Sequence, residues 1–383
     1  MTSPVETIAQ WQEEFAAIRR DIHAHPELGL EEHRTAALVA AKLREMGIEV
    51  HEGVGRTGVV GVIRNGNGRR IGLRADMDAL PMEEETGLPH ASTHKGRMHA
   101  CGHDGHTTML LAAARYLQQT RRFDGTVHLI FQPGEEGAGG ALAMLEDGLF
   151  ERFPCDEVYG LHNRPGMPVG QAGLRPGPMM AGVAFYDIVV QGRGGHGARP
   201  EATVDPVVAG SAIVGALQSV VARNVPAIER AVLSVTRFDA GNAYNVIPDR
   251  VRLGGTVRAF SRTMMELVEQ RMRAIAEGVA AGFGASATLD FRVLTTPLVN
   301  DAGATEALAA AAAALGATDA DFPAVMGGED FAFMLEKVPG AYAMVGNGDT
   351  AEVHHPKFDF NDAAIPHGAG LLAAVVERQA PRV

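Results

Sequence analysis

The chain has 383 residues, 46% of them hydrophobic, and a formal net charge of −12. This length favours two domains, or one large domain with an insertion. The acidic charge argues against a nucleic-acid-binding protein, which needs a basic face. Two cysteines, Cys101 and Cys155, are too few for a disulfide framework. The N-terminus lacks the pattern of a signal peptide, and no apolar run approaches the roughly 18 residues that span a bilayer. We therefore expect a cytoplasmic protein without a membrane segment.

The first part of the chain alternates between helical and strand patterns. Apolar residues at helical spacing predict helices at residues 6–20, 31–46 and 105–117. Short apolar runs predict strands at residues 58–64, 70–75, 126–131 and 158–161. Asn65-Gly66-Asn67-Gly68 has the residues of a tight turn and predicts a hairpin between the first two strands. Strands alternating with helices predict an α/β sheet that is covered on both faces.

After Arg175-Pro176-Gly177-Pro178 the pattern changes. The following segments read strand, helix, strand, strand, helix, strand, at residues 183–190, 205–222, 231–238, 250–260, 263–282 and 285–293. This βαββαβ order is the ferredoxin-like pattern. We therefore predict an inserted second domain at residues 178–294, between the two parts of a first domain at 1–177 and 295–383. In the last part we expect helices at 303–314, 329–337 and 361–378 and a strand at 341–345.

The segment Met98–His106 combines three histidines, one cysteine and one aspartate. Alternate side chains of an extended loop point the same way, so Cys101 and His103 can reach one centre. Such a density of sulfur, nitrogen and oxygen donors is typical of a transition-metal site, and the thiolate favours Zn, Mn, Co or Ni over Mg or Ca. Asp104 begins the predicted helix, where the helix dipole favours a carboxylate.

Further donors follow three later strands. Glu135 and Glu136 come after a Pro-Gly turn, where one can bind metal while the other acts as the general base for a bound water. His162 follows the strand at 158–161, and His354 follows the strand at 341–345. Taken alone, each of these two histidines fits a structural role as well as a ligand role.

The inserted segment contains one glycine-rich cluster, Gly192–Pro200. His196 lies among its glycines and is suited to donate a hydrogen bond from a mobile loop. Arg258 is a candidate for binding a substrate carboxylate, because a guanidinium matches a carboxylate with two parallel hydrogen bonds. A surface arginine on a strand is the commoner alternative.

Six motifs in the same order identify a family resemblance. They are Leu73–Pro81, His99–His106, Gln132–Gly137, Gly194–Pro200, Asn245–Asp249 and Met326–Phe331. Together they resemble the amidohydrolases that include hippurate hydrolase, N-acyl-amino-acid amidohydrolases and plant auxin-conjugate hydrolases, of the aminoacylase and carboxypeptidase G clan. The resemblance covers nearly the whole chain, from His23 onward.

The resemblance implies a fold, a cofactor and an assembly. The fold would be an α/β di-metal exopeptidase-like catalytic domain with an inserted ferredoxin-like lid and dimerisation domain. Each subunit would bind two divalent transition-metal ions, and the protein would be a homodimer or homotetramer through the lid. The implied metal ligands are Cys101, His103, Glu136, His162 and His354, with His355 as a competitor for the last position.

The resemblance also implies roles for other residues. Glu135 would be the general base, and Asp76 would orient a metal ligand. His196 would stabilise the oxyanion, in relatives often across a dimer interface. The implied substrate-binding residues are Asn245, Arg258 and Gly328.

The implied activity is hydrolysis of the amide bond of small N-acyl amino acids. The alternatives are a dipeptidase or carboxypeptidase on the same scaffold, and a non-catalytic metal-binding module. The last is disfavoured because Glu135 and all the implied ligands are present.

Glu201 departs from the family pattern. In many relatives a histidine follows the proline that ends the Gly194–Pro200 motif, whereas this chain has Glu201 after Pro200. An acidic residue there puts the substrate preference in doubt.

Overall fold

A computed structural model describes residues 2–382 of the chain. In this range the α-helices are Pro4–Ala9 (α1), Gln12–Ala24 (α2), His33–Glu45 (α3), His103–Thr120 (α4), Gly140–Glu146 (α5), Leu149–Arg152 (α6), Pro206–Ser219 (α7), Arg262–Gly282 (α8), Ala302–Leu315 (α9), Phe331–Leu335 (α10) and Ile365–Gln379 (α11). The strands are Glu49–Val54 (β1), Gly58–Asn65 (β2), Arg69–Asp76 (β3), Gly125–Gln132 (β4), Glu157–Pro165 (β5), Ala172–Gly173 (β6), Gly177–Met180 (β7), Gly182–Gln191 (β8), Gly195–His196 (β9), Ala231–Ala240 (β10), Val246–Ile247 (β11), Arg250–Ala259 (β12), Ser286–Thr295 (β13), Leu298–Asn300 (β14), Thr318–Asp319 (β15) and Gly340–Gly348 (β16).

The described chain divides into two compact units. The first contains the residues up to 177, residues 299–323 and the residues from 330 onward, and the second contains residues 178–298 and 324–329. The second unit thus includes residues 295–298 and 324–329 in addition to the predicted range 178–294.

The first unit is built on an eight-stranded sheet in the order β1-β2-β4-β3-β5-β16-β6-β15. Its four central strands, β4, β3, β5 and β16, are parallel to one another. These strands are almost entirely buried, and α4 and α11 are among the helices that pack with them in the same core. Near-continuous apolar strands of this kind form parallel sheets covered on both faces, as the sequence predicts.

The hairpin predicted between β2 and β3 is wrong. Both strands pair with β4, which lies between them, antiparallel to β2 and parallel to β3. The turn at 65–68 therefore crosses the start of β4. There Gly66 has φ +100°, and a Cβ atom on it would lie 1.8 Å from an Asp124 side-chain oxygen. The glycines that indicated a hairpin turn instead permit this close crossing.

The second unit contains a four-stranded antiparallel sheet in the order β10-β12-β8-β13. Its strands and helices follow the predicted βαββαβ succession. Helices α7 and α8 bury apolar side chains such as Ile213, Leu217, Val268 and Met272 in one core with this sheet. Along β12 the buried Val251 and Leu253 alternate with the exposed Arg250 and Arg252, so the arginines lie on the opposite face.

One helical segment, Pro206–Asn224, is long and apolar enough to cross a membrane by length and composition. This corrects the expectation that no segment approaches that length. Gly, Ser and Gln residues interrupt the apolar run, but the mean hydropathy over 18 residues remains 1.4. The finding is weak support for a membrane span, because the core helix of a globular domain passes the same test.

Candidate metal centre

The predicted ligands lie at one edge of the first unit's sheet. The central strands are parallel, so their carboxyl ends meet at that edge. Glu136 follows the end of β4, His162 lies near the end of β5, and His354 follows β16. Cys101 and His103 lie at the start of α4, where Gly102 adopts φ +93°. A Cβ atom on Gly102 would lie 2.2 Å from the Asn163 side-chain oxygen, so only glycine fits this approach.

The donor atoms of these five residues converge. Cys101 Sγ lies 3.3 Å from His162 Nε2, and His354 Nε2 lies 3.2 Å from Glu136 Oε1. Two groups of donors, each within 4.8 Å of one another, share Cys101: one adds His103 and His162, the other Glu136 and His354. Sulfur, imidazole nitrogen and carboxylate oxygen in this arrangement suit a borderline-soft divalent transition metal.

Two buried polar atoms at the centre fit a bound cation. Among the described residues, no hydrogen bond satisfies His103 Nε2 or Glu136 Oε1, which lie 4.0 Å apart, although His354 Nε2 approaches Glu136 Oε1 to 3.2 Å. Leaving a buried donor or acceptor unpaired costs about 1–3 kcal/mol, and more for a charged group. A metal ion at this position removes that cost for both atoms. The residues present therefore fit a metal site.

Hydrogen bonds fix which nitrogen of each histidine faces the centre. His162 Nδ1 donates to the Asn163 carbonyl at 2.7 Å, and His103 Nδ1 donates to Asp78 Oδ1 at 3.1 Å. A neutral imidazole that donates from Nδ1 keeps a lone pair on Nε2. Both rings therefore present Nε2 as a ligand atom, and their orientation is set by outer hydrogen bonds.

Asp78 is a site residue that the sequence analysis missed. Besides holding His103, its Oδ2 accepts the backbone N–H of Glu136 at 2.9 Å, so it fixes two predicted ligands together. It belongs to the same Leu73–Pro81 motif as Asp76, two positions later. That spacing was the available signal, because residues two apart in extended backbone share a side.

Asp76 has a different set of partners. Its Oδ1 accepts from His106 Nδ1 at 2.6 Å, and its Oδ2 accepts from Arg74 at 2.7 Å and lies 3.8 Å from His103 Nε2. His106 in turn accepts the backbone N–H of Asn163 at 3.0 Å on Nε2. Through its hydrogen bond with His106, Asp76 links β3 to α4. It lies near the converging donor atoms, but its side-chain hydrogen bonds are made with Arg74 and His106.

Burial and neighbouring charges shape the electrostatics. Burial, and then the Glu136 carboxylate, raises the pKa of Cys101 well above its ordinary value, so the thiolate needs a cation beside it. Burial, and then His106, lowers the pKa of His162, which favours the neutral form that binds metal. Burial alone would raise the pKa of Asp76, but His103, Arg74 and His106 hold it well below its usual range.

Glu135 lies beside the converging donors. An oxygen of its carboxylate, His103 and Glu136 form a further group within 4.8 Å, and its Oε1 accepts the backbone N–H of Asp330 at 3.4 Å. The two adjacent glutamates therefore differ in surroundings. Glu136 belongs to the donor group that contains Cys101 and His354. Glu135 does not belong to that group, and its carboxylate lies close to His103 and Glu136.

The neighbouring histidines His354 and His355 are distinguished by geometry. His354 adopts φ +64°, a backbone conformation uncommon for a residue other than glycine, and reaches Glu136. His355 Nδ1 instead accepts the backbone N–H of Lys357 at 3.1 Å. Within residues 2–382, no candidate ligand group includes His355.

The remaining predicted site residues belong to the second unit. His196 and Asn245 lie together there, because His196 in β9 pairs with Val246 in β11. The backbone N–H of Ala198 donates to His196 Nδ1 at 3.1 Å, so neutral His196 carries its proton on Nε2. The exposed ring thus presents a hydrogen-bond donor.

Arg258 and Gly328 also belong to this unit. Arg258 is half-buried, and burial lowers its pKa. It donates to Thr256 and to the Val257 carbonyl, and within the described chain it makes no ion pair. Gly328 has a packing role, since a Cβ atom there would lie 2.3 Å from a Val183 methyl group.

Comparison with known proteins places the chain among hydrolases. Residues 72–378 match the profile of peptidase family M20/M25/M40. A hippurate hydrolase of Campylobacter jejuni is 44% identical over 96% of this chain and 97% of that protein. An N-acetylcysteine deacetylase of Bacillus subtilis is 42% identical over 91% and 92%. A solved Bacillus subtilis structure, described as a dinuclear metal-binding peptidase of the M20 family, is 38% identical over 96% and 98% of the two chains, with a TM-score of 0.85. These matches confirm the resemblance seen in the motifs, and the chain belongs to peptidase family M20/M25/M40.

Proposed function

We propose that this protein is a metal-dependent amidohydrolase that cleaves the amide bond of small N-acyl amino acids, releasing a carboxylic acid and a free amino acid. The convergence of one sulfur, three imidazoles and one carboxylate beside the carboxyl group of Glu135 carries this proposal. The names of the relatives support the substrate class, since hippurate and N-acetylcysteine are both N-acyl amino acids.

The ligands proposed for two divalent transition-metal ions are Cys101, His103, Glu136, His162 and His354. When bound, such ions lower the pKa of water and polarise the amide carbonyl. The thiolate of Cys101 favours zinc, manganese, cobalt or nickel. Asp78 and Asp76 hold the surrounding side chains in place from β3 and the loop after it.

Glu135 is proposed as the general base. Its carboxylate takes a proton from the attacking water and then delivers it to the nitrogen of the leaving amine. His196 is proposed to donate from Nε2 to the oxyanion that develops on the carbonyl, a contact typically worth about 3–4 kcal/mol. Asn245, Arg258 and Gly328 are proposed to bind the carboxylate end of the substrate, to which the Arg258 guanidinium, which makes no ion pair within the described chain, offers two parallel hydrogen bonds.

We also propose a cytoplasmic homodimer, formed through the second unit, as the working assembly. In this arrangement residues 178–294 act as the lid and dimerisation domain, and residues 1–177 and 295–383 act as the catalytic domain.

The adjacent glutamates provide a matched test of the mechanism. Glu135→Gln should keep the bound metal but reduce turnover of hippurate and N-acetylcysteine by about 10²–10⁴-fold, because a general base typically contributes that much. Glu136→Gln removes the same charge one position later and should lose metal. Metal content by elemental analysis and hydrolysis rates separate the two variants. Wild-type turnover in Glu135→Gln would eliminate Glu135 as the base, and faster cleavage of dipeptides than of N-acyl amino acids would favour a peptidase.

Mixing two inactive variants tests the proposed dimer. His196→Ala and Glu135→Gln should each have low activity, and each should retain metal. If His196 acts on the active site of the partner subunit, mixed dimers contain one intact site and recover part of the activity. Absence of any recovery after verified subunit exchange would show a self-contained subunit.

A further inference from the structure

The second unit has a charge balance unlike that of the whole chain. Residues 178–298 and 324–329 contain 12 arginines, no lysine and 11 aspartates or glutamates, which gives a net charge near +1 against −12 for the chain. All cationic side chains of this unit other than histidine are therefore guanidinium groups. Guanidinium presents a planar fork of donors that binds carboxylate or phosphate with two parallel hydrogen bonds.

Three of these arginines line one cavity of about 480 Å³. They are Arg237 on β10 and Arg250 and Arg252 on β12, and Asn242 in the loop between the two strands adds a side-chain amide. Val189 on β8 contributes apolar surface to the lining. The cavity is open to solvent, and five of its ten lining residues carry charged or amide side chains, so its polar groups converge on one concave surface.

The strand register places the guanidinium groups on one face of the sheet. Arg252 lies opposite Asp239 on β10 and opposite Val189 on β8, and Arg237 lies opposite Gly254. Arg250 and Arg252 are two residues apart, so their side chains leave the same face about 7 Å from each other along the strand. These positions allow the arginines to approach one small molecule from two adjacent strands.

The cavity has an excess of positive charge. Arg237 forms an ion pair with Asp239, the one carboxylate in the lining. Within residues 2–382, neither Arg250 nor Arg252 makes an ion pair or a side-chain hydrogen bond. On the other half of the same sheet, Arg292 is paired with both Asp187 and Asp290. Arg250 and Arg252 thus lack carboxylate partners of the kind that Arg292 has on this sheet.

We infer that this cavity binds a small oxyanion, a carboxylate or a phosphate, at a site distinct from the proposed metal ligands. Arg250 and Arg252 hold its oxygen atoms, Asn242 adds an amide donor, and Val189 contacts any apolar part of the ligand. A concave surface concentrates the field of these charges and attracts an anion despite the acidic chain. The inference does not depend on the proposed hydrolase activity, because none of the lining residues has a role in it.

The test measures anion binding to the full-length, metal-loaded protein. Isothermal titration with inorganic phosphate and, separately, with benzoate compares the wild type, Arg250→Ala/Arg252→Ala and Arg292→Ala. The last variant removes the same kind of charge from the same sheet outside the cavity. Since the metal centre can bind anions in every variant, the readout is the difference between proteins.

The wild type and Arg292→Ala should bind one more equivalent of anion per chain than the double variant, or bind it at least 10-fold more tightly. Binding of benzoate alone would identify the ligand as a carboxylate, and binding of phosphate alone would identify it as a phosphate. Arg252→Gln, a milder change, should weaken binding in the same direction, and cooperative thermal unfolding with an unchanged circular dichroism spectrum verifies that each variant is folded. Equal binding by all variants, or an equal loss in Arg292→Ala, would overturn the inference.

Discussion

A buried histidine next to the metal-binding segment should make stability depend on pH. His23 in α2 is fully buried, and its Nδ1 lies 2.9 Å from Asp104 Oδ2 while its Nε2 lies 3.3 Å from Glu84 Oε1. Burial alone would lower the pKa of His23, but Asp104 and Glu84 outweigh burial and raise that pKa to about 9. The ring is therefore held as a cation in the folded protein.

The direction of the effect follows from the two pKa values. An unfolded histidine titrates near 6.5, so below that pH the ring is charged in both states and the folded protein has the full benefit of its two carboxylates. As the pH rises towards 9, the unfolded state releases the proton while the folded state keeps it. Each pKa unit corresponds to 1.36 kcal/mol, so the free energy of unfolding should fall by about 3 kcal/mol over this interval.

Urea unfolding of the metal-loaded protein, measured from pH 6 to pH 9.5, tests this reasoning. His23→Gln should lack the decrease, although it is less stable at pH 6 because Asp104 has lost its cationic partner. His25→Gln is the matched control, since His25 follows the same helix but is partly exposed and should keep the decrease. If the unfolding free energies of wild type and His23→Gln run parallel over the whole pH range, the argument is refuted.

Two further substitutions test the surroundings of the proposed metal centre. Asp78→Ala should lower metal affinity by about 10–100-fold in a competition assay with a chelator, because it removes the acceptor that orients His103; unchanged affinity would contradict that role. Arg74→Met should reduce the free energy of unfolding by about 3–5 kcal/mol, since it leaves Asp76 and Asp330 buried without the guanidinium that contacts both. A loss below about 1 kcal/mol in chemical denaturation would show that this buried pairing contributes little.

The sequence predicted the elements of the fold better than their pairing. The helix predicted at 105–117 is α4, and the strand at 126–131 is β4, because their apolar spacing is local information. The hairpin prediction was wrong because the pairing of strands is not determined by local sequence. Asn65–Gly68 is compatible with a tight turn, but whether β4 inserts between β2 and β3 depends on contacts far away in sequence.

In the candidate site, too, local sequence predicted some features, and others depend on contacts between distant parts of the chain. Motif density was enough to select Cys101, His103 and the two glutamates. It did not separate Asp76 from Asp78, because both side chains leave the chain on the same side and only the position of His103 decides which one it contacts. The choice between His354 and His355 likewise depends on a backbone turn with positive φ, which the His-His-Pro sequence does not reveal.

The order of the ligands along the chain has a consequence for biosynthesis. A growing polypeptide displays Cys101 and His103 early, yet His354 emerges only after the entire second unit has been made. All five proposed ligands can therefore meet only after the whole second unit has been synthesised, so we expect a complete metal site to form late in synthesis. Until then Cys101 lacks the other proposed ligands, and a thiol that is accessible to solvent is the form susceptible to oxidation.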